Sequence, residues 1–305
     1  MSGRKCCAVA ALGVLLISSP KRALARNDLE QHLRNEYQGK IFLLRGFPAG
    51  RTIVYDAGGK LSGSVNVGDW PVDGVLRVGR LRISKNHLTI DADRLYVNPS
   101  SNAKFERSPN GLRIEASFAS EPNAADADAL MSRIFLTSKD DFAELVPDYW
   151  KPCVLAALTV PPPAEPEPLK RMRCQFSAQF LRIPGVVLHS QSGASPDGKA
   201  ASVASTTEMK VEHIGNRVKP PRRISGFEPE FSEQARQSKY QGTNTVGLII
   251  DETGGVRKIW IVSPLGYGLD RRAVEAVSQW RFQPATKDGQ PVAVEIAVEV
   301  DFHLY

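Results

Sequence analysis

The sequence predicts an α+β fold, in which a mainly β domain with flanking helices precedes a C-terminal α-β-β-α-β module with a small antiparallel sheet. Short apolar runs between turn residues dominate up to about residue 118, and apolar residues recur at helical spacing from Ala127 onward. Residues 292–305 alternate large apolar side chains with small or acidic ones, as a half-buried strand does. With 305 residues, 42% of them apolar, the chain can build two domains that each bury a core.

The N-terminus has the layout of a secretory signal peptide, which we assign to residues 1–25. Two basic residues precede an apolar run from Cys6 to Ile17, and a small-residue cleavage site that ends at Ala25 follows. The run is shorter than the ~20 residues that a membrane-spanning helix needs. We therefore expect export with cleavage after Ala25. The alternative is a retained N-terminus that serves as a membrane anchor.

Residues 28–160 form the predicted β-rich domain. Its strand-like runs are separated by turn sequences such as Asp56–Gly59 and Asp73–Gly74, in which glycine can supply positive φ. Two helices are predicted at its C-terminal end, the second between Ser138 and Pro147. The first of them is marked by four apolar residues at helical spacing (Ala127, Leu130, Met131 and Ile134).

Residues 161–218 form a predicted linker region. It begins with the polyproline stretch Pro161–Pro168, which disfavours both helix and sheet, and it continues into a polar tract from Ser190 to Thr207. The two cysteines outside the signal peptide, Cys153 and Cys174, flank the start of this region. An even pair in an exported chain is typical of a disulfide, which we predict here, and the alternative is two separate buried thiols.

The C-terminal module occupies residues 219–305. Ser232 is the predicted N-cap of its first helix, and Gly242 is the predicted stop. Thr243–Ile250 and Val256–Val262 are predicted strands joined by a glycine-containing hairpin turn.

A second helix and a last strand complete the module. Asp270 is the predicted N-cap of this helix, and Trp280 belongs to its apolar stripe. The bulky side chains of Trp280 and Phe282 are expected to be buried at the corner between helix and strand.

The last strand is the predicted binding site. Its even positions are apolar and face the core, so its odd face points to solvent. A strand that ends the chain has no successor that must pair with it. We therefore expect a sheet edge with unpaired backbone N–H and C=O groups that accept another chain. The candidate contact residues are those of the odd face (Ala293, Glu295, Ala297, Glu299, Asp301 and His303).

The sequence lacks the motifs that are typical of several function classes. The five histidines are dispersed and no Cys-x-x-Cys occurs, so no metal site is predicted. Neither a Gly-x-Ser-x-Gly motif nor a complete phosphate-binding loop is present, so we predict no enzyme activity and no cofactor. The net charge of +6 comes from scattered Lys and Arg without a basic arm, so nucleic acid is not an expected partner.

Four segments in order carry a family resemblance: Pro229–Arg236, Tyr240–Gly242, Pro264–Asp270 and the Trp-Arg-Phe-x-Pro-Ala motif at Trp280–Ala285. In these segments the chain resembles the C-terminal domain of TonB-family energy transducers. The region from about residue 28 to 156 resembles a β-rich exported domain that precedes this module in some family members.

The resemblance implies an α+β module that binds TonB-dependent outer-membrane receptors, whose box peptide adds as a strand to the last strand of the module. It further implies a periplasmic protein with a role in energy-coupled transport. A retained N-terminus would anchor the chain in the inner membrane and imply the proton-channel complex there as a second partner. Arg222 and Arg223, which precede the first helix, are further candidate contacts.

Two departures from the family bear on these expectations. The apolar N-terminal run is short and looks cleavable, and the Pro-rich spacer is short. Two alternatives therefore stay open. The first is an envelope scaffold that forms a homodimer through the same sheet edge. The second is an enzyme with an unrecognised site in the N-terminal domain.

Overall fold

The computed structural model describes residues 20–97, 105–137, 142–158, 210–215 and 217–304. Its fold is α+β, as predicted. The predicted cleavage site after Ala25 lies within the range of the first helix, and cleavage stays a prediction. None of the helices that the structure describes combines the length and the apolar character that a membrane span requires.

The N-terminal part, residues 20–158, is built on one five-stranded sheet in the order β1-β3-β4-β5-β2. Neighbouring strands are antiparallel except β2 and β5, which are parallel. The elements are α1 Pro20–Tyr37, β1 Ile41–Leu43, β2 Thr52–Tyr55, a π-helix Trp70–Gly74, β3 Val75–Ser84, β4 His87–Tyr96, β5 Glu106–Ser117, α2 Ala124–Ile134, α3 Phe142–Leu145 and α4 Lys151–Leu158.

Helix α2 confirms the predicted apolar stripe, because Ala127, Leu130, Met131 and Ile134 are all buried. The helix begins at a capping box in which Asn123 accepts from the backbone N–H of Asp126 at 3.0 Å. Helices α1 and α2 share an apolar cluster with one face of the sheet. The N-terminal part therefore has a core of its own.

One predicted turn of this part is confirmed and the other is wrong. Asp56 accepts from the backbone N–H of Gly58 at 2.8 Å, and Gly59 has a φ of 74°, so Asp56–Gly59 is a turn. Asp73–Gly74 instead forms the end of the π-helix Trp70–Gly74, and the backbone N–H of Asp73 donates to the carbonyl of Asp69 at 2.7 Å.

The C-terminal part, residues 210–304, has a main sheet in the order β10-β9-β13-β12-β7, with β6 also paired to β13, and a separate pair β8–β11. Its elements are β6 Val211–His213, β7 Val218–Lys219, β8 Arg222–Ser225, α5 Glu233–Gln237, β9 Gly242–Ile250, β10 Val256–Ser263, α6 Leu269–Val277, β11 Arg281–Gln283, β12 Ala285–Lys287 and β13 Gln290–Phe302. The predicted elements α5, β9, β10, α6 and β13 occur in the predicted order, with two further strands, β11 and β12, between α6 and β13. The sheet also includes β6, which lies in the stretch expected as linker, and β7, which begins at the last residue of that stretch.

The two predicted helix caps differ in outcome. Ser232 is the N-cap of α5, and its Oγ accepts from the backbone N–H of Ala235 at 3.1 Å. The helix ends at Gln237, and Gly242 opens β9 instead of stopping the helix. The N-cap of α6 is Gly268, with a φ of 77°, so the prediction for Asp270 is wrong.

Asp270 instead fastens the loop between β10 and α6. Its buried carboxylate accepts from the backbone N–H groups of Leu265 and Gly266, each at 2.7 Å, and from the side-chain amide of Asn244 on β9. A carboxylate in the first helical turn that reaches back to the preceding loop satisfies N–H groups that would otherwise be buried without partners. The residue is therefore structural.

The N- and C-terminal parts pack against each other in one apolar cluster. Tyr96 on β4 contacts Tyr267 in the β10–α6 loop, with ring centroids 5.8 Å apart. On the N-terminal side of the same cluster, Trp70 meets Trp150 edge-on at 5.0 Å. The predicted domain boundaries stay predictions, but the described residues on both sides share a core.

The structure describes only one of the two cysteines in the predicted disulfide. Cys153 on α4 is buried and disulfide-bonded. Cys174, its predicted partner, lies outside the described residues, so the pairing stays a prediction.

Candidate functional site

Strand β13 has the register that its sequence predicts. Val294, Val300 and Phe302 are buried, and Ile296 and Val298 are half-buried. These even positions face the core, where α6 packs across β9 and β10. The alternation therefore fixes which face of the strand remains in contact with solvent.

The outer edge of β13 is open over only part of its length. On one side, β9 pairs with β13 from Val294 to Phe302. On the other side, β12 pairs with its first three residues, and β6 then runs parallel to Ala293–Glu295. Within the described residues, the segment Ile296–Phe302 has no strand partner on that side.

The expectation of a free edge along all six candidate positions is therefore wrong at two of them. Ala293 pairs with Val211 and is fully buried, and Glu295 pairs with His213. The other four positions, Ala297, Glu299, Asp301 and His303, are exposed and lie on or just beyond the open segment.

The opposite edge of the main sheet is occupied by the N-terminal part. The backbone N–H of Ile261 on β10 donates to the carbonyl oxygen of Tyr149 at 2.9 Å, and α4 packs along β10. A backbone group that is already paired cannot bond to an incoming strand. In the described chain, β13 is thus the better placed of the two edges for strand addition.

The solvent face beside the open segment is acidic. Glu295, Glu299 and Asp301 project from β13 on this face, and Asp301 accepts from the Thr243 hydroxyl on β9 at 2.5 Å. Lys258 on β10 is a cation on the same face, aligned through Ile249 with Glu295. Near β13 the face therefore carries an excess of negative charge.

A row of three residues crosses this face from β10 to the open segment, and we call it the Trp260 row. Trp260 pairs with Gly247 on β9, and Gly247 pairs with Ala297 on β13. A Cβ atom on Gly247 would lie 2.5 Å from Cζ2 of Trp260, so the indole covers the glycine. The sequence did not single out this row, although a glycine inside an apolar strand is a signal of close approach.

Arg222 and Arg223 do not join this edge. They lie on β8, which pairs with β11 and belongs to the separate two-stranded sheet. The guanidinium of Arg223 lies 4.4 Å from the ring centroid of Trp280 and 2.9 Å from the carboxylate of Glu228. Its contacts are those of a residue that covers the buried Trp280, whose indole N–H donates to the carbonyl of Phe227 at 2.9 Å.

A second polar site lies where the two parts of the chain meet. A cleft of about 230 Å³ is lined from one side by Asp69 and Asp73 and from the other by Arg271 and Glu275. Burial, followed by the negative charges of Asp270 and Asp73, raises the pKa of Asp69 well above its usual range. Burial also raises the pKa of Asp270 to about 7, against the hydrogen bonds that its carboxylate accepts.

Comparisons with known proteins concern the C-terminal part. The family model "Gram-negative bacterial TonB protein C-terminal" matches residues 228–304. The chain is 33% identical over 87 residues to Protein TonB of Vibrio cholerae, a match that covers 28% of this chain and 36% of that protein. It thus spans about a third of the length of that relative.

Among solved structures, the solution NMR structure of the Pseudomonas aeruginosa TonB CTD matches with 18% identity and a TM-score of 0.23. That match covers 31% of this chain and 96% of the solved one. Together with the signature at Trp280–Ala285, the family match identifies residues 228–304 as a TonB-family C-terminal domain.

Proposed function

We propose that the C-terminal domain acts in the periplasm and binds TonB-dependent outer-membrane receptors by adding their box peptide as a strand to β13. The observation that carries the proposal is the open backbone edge from Ile296 to Phe302 in a domain of the TonB family. Strand addition needs such an edge, because main-chain hydrogen bonds supply much of its affinity.

The apolar face of β13 supports the same mode. Ile296 and Val298 are half-buried, whereas Val294 and Val300 on the same face are buried. An added strand would cover the two half-buried side chains from the side where the described residues give β13 no neighbour. A partner with apolar residues at alternate positions would therefore gain both hydrogen bonds and apolar burial.

A homodimer through the same edge is the alternative, and the acidic face opposes it. In an antiparallel pairing that keeps both apolar faces on one side, Glu299 and Asp301 of one copy lie beside the acidic residues of the other. Like charges opposite each other destabilise a strand pair. A peptide without acidic residues on that face avoids this penalty, so we favour the hetero-association.

The role in transport is a binding role. Holding a receptor peptide requires no nucleophile, metal or cofactor, only a strand edge and side chains that select the sequence. Coupling to an inner-membrane proton channel would further require that the N-terminus be retained as an anchor.

NMR spectroscopy of the labelled protein with receptor box peptides tests the proposal. We expect amide shifts at Ile296–Phe302 and slower amide exchange there on binding. A peptide of the same sequence with N-methylated backbone positions is the matched control, because it keeps the side chains and loses hydrogen-bond donors. Shifts confined to residues 243–262, or equal binding of the N-methylated peptide, would contradict strand addition to β13.

A further inference from the structure

The Trp260 row ends at the open segment of β13, and this geometry bears on which peptide fits there. The indole of Trp260 lies over Gly247, so Ala297, which has no side chain beyond Cβ, leaves a short, shallow path from the edge to the indole. Strands lie ~4.8 Å apart, so an added strand would lie ~10 Å from β9, over which the indole lies. Only a long side chain opposite Ala297 can reach across that path.

Charge decides which long side chain is favoured. Glu295 and Glu299 flank Ala297 on the same face of β13, two residues to either side, and both are exposed. Successive residues on one face of a strand lie ~7 Å apart, so the path runs between two carboxylates. A cation placed opposite Ala297 is attracted by both of them.

The end of the path suits a guanidinium better than an ammonium. Trp260 is half-buried, and the Nζ of Lys258 lies 5.8 Å from its ring centroid, so the indole already accepts one cation contact. A planar guanidinium can stack on an aromatic face and still donate to carboxylates on either side. An aromatic side chain could fill the same path but would leave the carboxylates without a cation.

We propose that the strand added to β13 carries an arginine opposite Ala297, which lies between Glu295 and Glu299 and contacts Trp260. This inference rests on the proposed function and specifies its partner. Trp260 is then a specificity-determining residue, and backbone hydrogen bonding holds the strand whether or not the arginine is present.

Synthetic heptapeptides with alternating Thr and Val and blocked termini are the probe, with Arg, Lys, Phe or Ala at the central position. Titrations of the whole protein would be followed by NMR at the amides of Ile296–Phe302 and at the indole N–H of Trp260. We expect the Arg peptide to bind about tenfold more tightly than the Ala peptide at low salt, from one cation–π contact and the flanking charges. Added salt should reduce this ratio.

Two variants identify the source of the preference. Trp260→Ala and Glu299→Gln should each lower the Arg-to-Ala ratio about threefold. Trp260→Phe should restore part of the ratio, since it retains an aromatic face. Phe227→Ala, which truncates an exposed aromatic elsewhere on the domain, is the control and should leave the ratio unchanged.

The outcomes separate the inference from the proposed function. If Arg and Ala peptides both shift the β13 amides with equal affinity, or if the Phe peptide binds best, the arginine assignment is wrong and strand addition stands. If neither a heptapeptide nor a receptor box peptide perturbs Ile296–Phe302, strand addition itself fails.

Discussion

The backbone N–H of Ile261 and the carbonyl oxygen of Tyr149 are 2.9 Å apart and join strand β10 to the segment that leads into α4. Through this contact the N-terminal part covers one edge of the C-terminal sheet. The two parts also share buried aromatic residues, among them Tyr96 and Tyr267. The N-terminal part therefore stabilises the sheet that carries the proposed binding edge.

A fragment of residues 210–305 should fold but melt at a lower temperature than the whole chain. It keeps β6 and every strand of the main sheet, whereas it loses the apolar contacts from α4 and the Ile261–Tyr149 hydrogen bond. Thermal unfolding measures the difference, and amide exchange at Ile261 should be faster in the fragment. Equal melting temperatures and unchanged exchange would show that the shared core adds no stability.

Trp280→Ala should lower the free energy of unfolding by about 3–5 kcal/mol, as expected for truncation of a large buried aromatic side chain. Trp280 is 5% exposed, and its loss also leaves the carbonyl of Phe227 without its indole donor. Urea denaturation checks the value. Trp260→Ala is the matched comparison and should cost less, since Trp260 is only half-buried.

Asp69→Asn should weaken the pH dependence of stability. The folded pKa of Asp69 is raised, by burial first and then by Asp270 and Asp73. A raised carboxyl pKa means that the folded state holds its proton longer than the unfolded state. Stability is then lost as the pH rises from about 4 toward the folded pKa. The loss is ~1.4 kcal/mol for each pH unit by which the folded pKa of Asp69 exceeds its unfolded pKa.

Melting temperatures between pH 4 and 8 test this expectation. The decline with rising pH should be smaller in Asp69→Asn than in the unaltered protein, and part of it should remain because the pKa of Asp270 is about 7. Glu252→Gln removes an exposed carboxylate in the β9–β10 turn and should leave the decline as it was. The same decline in all three proteins would contradict a role for Asp69.

Reduction of the Cys153 disulfide should lower stability by roughly 3 kcal/mol if the partner is Cys174, because the bond would close a loop of about twenty residues. Cys174→Ser should have the same effect as reduction and should release one titratable thiol, that of Cys153. Peptide mapping of the unreduced protein identifies the partner directly. A mapped bond to another cysteine would contradict the predicted pair.

The exported protein should begin at Arg26. Mass spectrometry of the periplasmic fraction measures this, and Ala25→Leu should slow processing because the cleavage site requires a small residue. A mature form that begins near Met1 and sediments with membranes would instead support the anchored alternative.

Local signals in the sequence predicted much of the fold because they act over a few residues. The Ser232 cap, the hairpin between β9 and β10 and the alternation of β13 each depend on neighbours in the chain, and each is present in the structure. Asp270 shows the limit of such reasoning. Its residue type suits an N-cap, but its buried carboxylate bonds to the loop before the helix.

The candidate site was predicted less completely because long-range pairing decides it. Strand β6 lies in a polar stretch without a strand signal, and it gains its partner about eighty residues later in the chain. The Trp260 row likewise requires the register of three strands, which the sequence alone does not supply. Alternation predicted which face of β13 meets solvent, but the extent of the open edge required the structure.

Strand β6 acts as a stop at one end of the proposed docking edge. Because it occupies the backbone of Ala293–Glu295, a guest peptide cannot slide past Ile296 in that direction. The remaining edge admits about seven residues, or ~23 Å of extended chain. The open edge therefore limits the length of the bound segment. Because the first or last residue of that segment lies against β6, the register of all its other residues along β13 is fixed.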